Sequence, residues 1–407
     1  MSVCTLPPEL DDIILDHLHD DRSALASCAL VRRSWLPAVR YHNWRDLRVA
    51  CAQTDLKTLE GLLDDSPSLV HHVRNIVLAQ KQGDVCQWYD LHLLRSALTV
   101  LSRFPVLDSF TLDGLWFGVS KQTPLPPCDI IFPSVRRLRI SSCTFDSFND
   151  VQEFCNTFPS LTSIQFDGVW WGRWGTPQGG AVFGASPSAA TLKELELGSC
   201  FSRDTVVDWI INTLPERSLE TLRLPLVGAY DTRLRDLLRF AGTSLRYLEL
   251  GSPSLSTVRH RVVAPGEYSP LESYLDMSEN TRLRVLQLGV PTYRDPRFIT
   301  LWLATVLAQV AAPALEEVRF AIHPILRGDA DDAAHMLDTY DWAQVVDVLA
   351  RPKFVALSKI TFVSGRLSEH AKIPDAFVQL QPVLAKVVPR LFQKVLKNGV
   401  ELDFRCV

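Results

Sequence analysis

The chain has 407 residues, long enough for a large core or an elongated repeat array. Hydrophobic residues make up 47% and charged residues 22%, the balance of a folded soluble chain, and 42 basic against 46 acidic side chains leave a net charge of −4 with no long basic run. That balance argues against a general nucleic-acid or acidic-membrane binder. The nine cysteines are scattered, without a Cys-x-x-Cys pair, which suits reduced thiols in the cytoplasm or nucleus rather than a disulfide framework.

The start, Met1 to Glu9, lacks the basic and apolar regions of a signal peptide. It leads into a predicted helix. Leu10, Ile13, Ile14 and Leu18 fall on one side of it. Pro7 and Pro8 suit the first turn, and Glu9, Asp11 and Asp12 favour its positive end. A second apolar run spans Ala24 to Val31, and a third segment carries Trp35, Leu36, Val39 and Tyr41. About 40 residues with this much apolar surface make a poor free-standing core. They must pack on the rest of the chain, on a partner, or on both.

Leu6-Pro7, Glu9, Ile13-Ile14, Leu18 and the block Leu30-Val31-Arg32-Arg33-Ser34-Trp35 resemble the F-box. Cys28-Ala29-Leu30-Val31 ahead of that block is similar to fungal F-box-like families. One departure is a longer connection through His19-Asp20-Asp21-Arg22-Ser23. The resemblance implies that residues 1–46 bind the adaptor subunit of an SCF-type cullin–RING ubiquitin ligase, and through it the cullin. The adaptor-binding set it implies is Leu6, Pro7, Ile13, Ile14, Leu18, Leu30, Val31 and Trp35. The plainer alternative is a helical cap on the end of a repeat array.

Residues 47–407 carry a recurring phrase: apolar, two spacers, apolar, one spacer, apolar. It runs Val73-Ile76-Leu78, Leu107-Phe110-Leu112, Val135-Leu138-Ile140, Leu161-Ile164-Phe166 and Leu192-Leu195-Leu197. It continues as Leu219-Leu222-Leu224, Leu245-Leu248-Leu250, Leu283-Leu286-Leu288, Leu315-Val318-Phe320 and Leu357-Ile360-Phe362. Cys143 and Cys200 follow two copies three residues on, which resembles the leucine-rich-repeat phrase. The mean spacing from Val73 to Leu357 is roughly 32 residues, above the usual range of about 20–29. Each unit is therefore expected to be a strand plus a full helix.

The intervening segments support helices. One follows Gln53 through Leu63; another opens at Ser202-Arg203-Asp204, with Ser202 as its cap. Others cover Thr232 to Phe240, start at Asp295-Pro296, and start at Ile373-Pro374 with Pro382 and Pro389 inside. The expected class is α/β: a short helical F-box, then a right-handed leucine-rich-repeat solenoid with a parallel sheet on its concave side and helices on its convex side. Ten strands about 4.8 Å apart would span roughly 48 Å.

No catalytic motif, phosphate loop or metal-ligand spacing is present. His17 and His19 are two apart on a helix, so they face different ways. The chain is expected to be no enzyme and to hold no cofactor or metal. Candidate substrate contacts are strand spacers: Arg137 and Arg139, Ser163 and Gln165, Glu194 and Glu196, Thr221 and Arg223, with Tyr247 and Glu249, Val285 and Gln287, Glu317 and Arg319, and Lys359 and Thr361 further along. The loop Gly168 to Gly180 adds Trp170, Trp171 and Trp174, a composition frequent at binding hot spots. The alternative is that these tryptophans fold back over the repeat core. Two functions follow: a substrate receptor of the ligase, or a leucine-rich-repeat interaction scaffold outside it.

Overall fold

A computed structural model describes residues 7–80, 88–89, 91–117, 130–172, 192–200, 202–215, 217–227, 233–253, 275–291, 296–323, 339–364, 385, 388–397 and 399–406. Leu6, Trp174 and most of the helix expected from Ile373 lie outside these residues. The chain divides into two compact units, Met1–Thr191 and Leu192–Val407. Both are mixed α/β, with parallel strands and intervening helices.

The first unit opens with α1 (Pro8–His17), α2 (Arg22–Val31) and α3 (Leu36–Arg45). Pro7 and Pro8 start α1 without a side-chain cap, while the Asp21 carboxylate accepts the Ala24 N–H to cap α2. Leu15, Leu25 and Val39 form a small core, with Leu18, Cys28, Ala29, Trp35 and Ala38 packed on it. The face of α1 turned inward is Asp11, Leu15 and Leu18, at the spacing of one helical face. This corrects the expected apolar side: Leu18 belongs to the inner face, and Leu10, Ile13 and Ile14 are exposed.

β1 (Asp46–Ala50) follows α3 without a linker. It pairs in parallel with β2 (Asn75–Ala79). β1 is not among the expected strands, because its apolar phrase is only Leu47 and Val49. All ten phrases from Val73 onward become strands. In the first unit they are β2, β4 (Ser109–Asp113), β6 (Arg137–Ser141) and β8 (Ser163–Asp167), in the order β1-β2-β4-β6-β8, all parallel. In the second they are β10 (Glu194–Leu197), β11 (Thr221–Val227), β12 (Tyr247–Pro253), β13 (Val285–Pro291), β14 (Glu317–His323) and β15 (Lys359–Ser364). β16 (Glu401–Cys406), also unforeseen, adds the last parallel strand. Alternation explains the pleat. Leu138, Ile140, Leu195, Leu197, Leu222, Leu224, Leu248, Leu250, Leu286 and Leu288 are all at most 3% exposed, with polar spacers between them.

The first unit also carries a second sheet that no sequence phrase announced. β3 (Trp88–Tyr89), β5 (Trp116–Phe117), β7 (Thr144–Phe145) and β9 (Trp170–Trp171) are two-residue parallel strands in that order. A left-handed corner joins β4, β6 and β8 to them, at Gly114 (φ 70°), Ser142 (φ 53°) and Gly168 (φ 65°). The next residues, Leu115, Cys143 and Val169, are fully buried. The Cys143 thiol donates to the Ser141 carbonyl at 3.2 Å, satisfying a backbone group at this corner.

The helices between strands are α4 (Gln53–Asp65), α5 (Leu91–Leu101), α6 (Phe148–Asn156), α7 (Arg203–Thr213), α8 (Leu234–Ala241), α9 (Pro296–Gln309), α10 (Trp342–Leu349) and α11 (Gln393–Leu396). Ser202 precedes α7 as expected but makes no cap bond; its hydroxyl meets the Thr205 hydroxyl at 2.9 Å. α6 has a full capping box between Ser147 and Asp150. Ser147→Ala should cost about 1 kcal/mol in urea unfolding, because the Asp150 N–H loses its acceptor. Helix ends elsewhere borrow side chains. The Asn280 amide donates to Leu238 and Gly242 carbonyls at 2.9 and 3.0 Å after α8. Lys353 donates to carbonyls of Leu307, Ala308 and Val310 at the end of α9. No helix among the described residues is long and apolar enough to cross a membrane.

Candidate functional site

The N-terminal helices put their surplus apolar surface outside. Leu10 is 44% exposed, Ile13 51%, Ile14 39%, Leu30 90% and Val31 72%. The cause is local: three short helices have one shared interior, already filled by Leu15, Leu25 and Val39. Ile13 and Ile14 lie off the inner face of α1, and Leu30 and Val31 occupy the last turn of α2. Arg32 follows directly and bonds the buried Asp11 carboxylate at 2.8 Å. This pair ties the end of α2 to α1. Of the expected adaptor set, Ile13, Ile14, Leu30 and Val31 are exposed, as is Pro7, whereas Leu18 and Trp35 pack on the core.

The expected substrate residues divide between the two units. In the first, Arg137 is exposed and Arg139 half-buried, alternating with Leu138 and Ile140. Arg137 pairs with Asp108. Trp170 is 42% exposed, but Trp171 is only 2% exposed and packs against Phe148 with ring centres 5.1 Å apart. Trp171 is therefore a core residue, which corrects its assignment as a surface anchor: β9 turns alternate side chains in and out. In the second unit, Glu194, Glu196 and Arg223 are half-buried spacers, and Glu196 lies beside Arg223 in the register.

The second unit holds a stronger cluster on these spacers. The Tyr247 ring is flanked by the guanidinium carbons of Arg223 at 5.2 Å and Arg319 at 5.8 Å. The Tyr247 hydroxyl donates to the Gln287 side-chain oxygen at 3.1 Å. Burial pushes the Tyr247 hydroxyl up to about 12 and raises the Glu249 carboxyl. Arg319 bonds Glu317 at 2.7 Å, and Thr361 donates to the same carboxylate at 2.6 Å. These positions are legible as strand spacers in the sequence, but their interlocking across five strands, β11 to β15, is not. Three buried thiols are disfavoured as nucleophiles: burial pushes Cys51, Cys143 and Cys155 up to about 12.

The second unit also has a groove of about 780 Å³ lined by Arg235, Asp276, Gln309, Asp347 and Arg351 among others. Asp276 is held at about 2 by the hydroxyl and N–H of Ser278, with help from Arg239. Its folded value lies below the ordinary 3.8, so its stabilising contribution is present above pH 3.8 and is lost as pH falls through about 2. Asp276→Asn should therefore lower stability at neutral pH and converge with wild type in strong acid, measured by thermal unfolding against pH.

No family model matches the chain, and no curated protein matches it. Among solved structures, a crystal structure of a Bacteroides fragilis protein, a structural-genomics target, is similar at 13% identity and a TM-score of 0.35. The match covers 88% of this chain and 73% of that one, and at this level it carries neither fold nor function across.

Proposed function

We propose that the chain is the substrate-recognition subunit of an SCF-type cullin–RING ubiquitin ligase. In this reading α1 to α3 are an F-box, and the strand–helix units are an irregular right-handed leucine-rich-repeat solenoid that selects a protein substrate. The chain does no chemistry of its own; it holds the substrate near the ligase's transfer step. The observation that carries the reading is the exposed set Ile13, Ile14, Leu30 and Val31 on α1 and α2, in a three-helix group whose interior is already full. A cap that merely shielded a repeat array would turn such residues inward or make them polar. The set also coincides with the positions that resemble the F-box.

The test is co-purification of the tagged chain with adaptor and cullin. Both should be recovered with wild type and lost with Leu6→Ala/Pro7→Ala. Recovery of neither with wild type favours the second reading, an interaction scaffold outside the ligase. On the substrate side, the half-buried cluster around Tyr247 has the aromatic and arginine composition of an anchor. Proximity labelling with Arg223→Ala should lose partners that Leu6→Ala/Pro7→Ala retains.

A further inference from the structure

We propose that β16 pairs edge to edge with β16 of a second copy of this chain, antiparallel about Asp403, to form a homodimer. β16 is bonded to β15 on one side, and no strand among the described residues lies on its other side. The Glu401 N–H donates to the Ser358 carbonyl at 2.8 Å, toward β15. By the two-residue period of a strand, the N–H and C=O groups of Leu402 and Phe404 therefore face the open edge.

The core face is also unfinished there. Val318, Phe320, Ile360 and Phe362 are at most 1% exposed. The equivalent Leu402 and Phe404 are half-exposed. A two-fold axis at Asp403 sets Leu402 opposite Phe404 of the second copy, twice. Each such pair joins outward-facing backbone groups and covers apolar surface. The same axis sets Glu401 opposite the second copy's Arg405, also twice.

Charge selects this register over its neighbours. Shifts by one residue would oppose outward to inward backbone groups and form no ladder. An axis at Leu402 would oppose Glu401 to Asp403, with like charges. An axis at Phe404 would oppose Asp403 to Arg405, a pair already made within each copy at 2.7 Å, and would not bring Glu401 opposite a cation. Glu401 is exposed and makes no ion pair among the described residues. The Asp403 axis brings Glu401 a cation that it shares with Asp403, and each of the two facing Asp403 carboxylates keeps Lys359 of its own copy at 2.8 Å. Charges on an edge strand ordinarily repel unrelated strands. Here their alternation is self-complementary, which points to a second copy rather than a foreign strand.

The test is light scattering across a concentration series on the full chain. Wild type should show a monomer–dimer equilibrium in the micromolar range. Glu401→Arg and Arg405→Glu should each weaken it at least tenfold, and the double variant Glu401→Arg/Arg405→Glu should restore it. Circular dichroism on all three confirms folding. A monomer at every concentration overturns the proposal. So does a dimer indifferent to the single changes, or a double variant as weak as the singles, because either would place the contact elsewhere, such as on the exposed N-terminal helices.

Discussion

Leu30→Ala/Val31→Ala should abolish adaptor capture while leaving the unfolding transition of the chain where it was. The two side chains are 90% and 72% exposed, so truncating them removes almost no intramolecular contact. In a complex they would be buried. Truncation then forfeits about 1–2 kcal/mol for each, and the pair weakens binding roughly 30- to 700-fold. Arg32, next in the chain, is left alone because its bond to Asp11 holds α2 against α1. Titration of purified adaptor against both proteins gives the affinity ratio, and urea unfolding gives the stability. Equal affinities would leave these helices as a cap.

Phe320→Ala should be among the most destabilising single changes in the second unit, at about 3–5 kcal/mol. Phe320 is fully buried in a ring cluster, with centres 5.2 Å from Phe362, 5.5 Å from Trp342 and 6.2 Å from Phe392. Those partners come from β15, α10 and the segment before α11, so the cavity would open among three elements at once. Val355→Ala is the control: Val355 is 83% exposed, and its loss should stay within about 0.5 kcal/mol. Urea midpoints with unchanged slopes would show that the native state, not the unfolded one, is affected.

The alternating phrases determined most of the strand positions by themselves. A residue such as Leu222 between Thr221 and Arg223 has only one way to be buried in a pleated strand, and a helix would scatter its neighbours around the axis. Helix positions were legible for the same reason: Leu234, Leu237 and Leu238 share a face, and all three are buried in α8. Edge strands escaped notice because one partner suffices for an edge. β1 needs only Leu47 and Val49 facing in, and β16 only Leu402 and Phe404. The two-residue strands of the small sheet are shorter than any periodic signal; backbone corners at Gly114, Ser142 and Gly168 lead into three of the four.

Which apolar residues stay outside was a matter for tertiary structure alone. Helical spacing put Leu10, Ile13, Ile14 and Leu18 on one side of α1, yet the docking of α2 and α3 chose the side with Asp11, Leu15 and Leu18. A helix periodicity names faces but not the partner each face meets, and three helices this short can enclose only one layer of side chains. Trp170 and Trp171 make the same point on a strand. Composition marked both, and only the pairing of β9 with β7 decided that Trp171 turns into the core while Trp170 turns out. The network around Tyr247 likewise needed the register of β11 to β15, because residues far apart in the chain become neighbours only when strands align. The sequence by itself determined the repeating strand–helix order; the tertiary structure decided what that order leaves exposed, since exposure depends on which surfaces have already been covered by others.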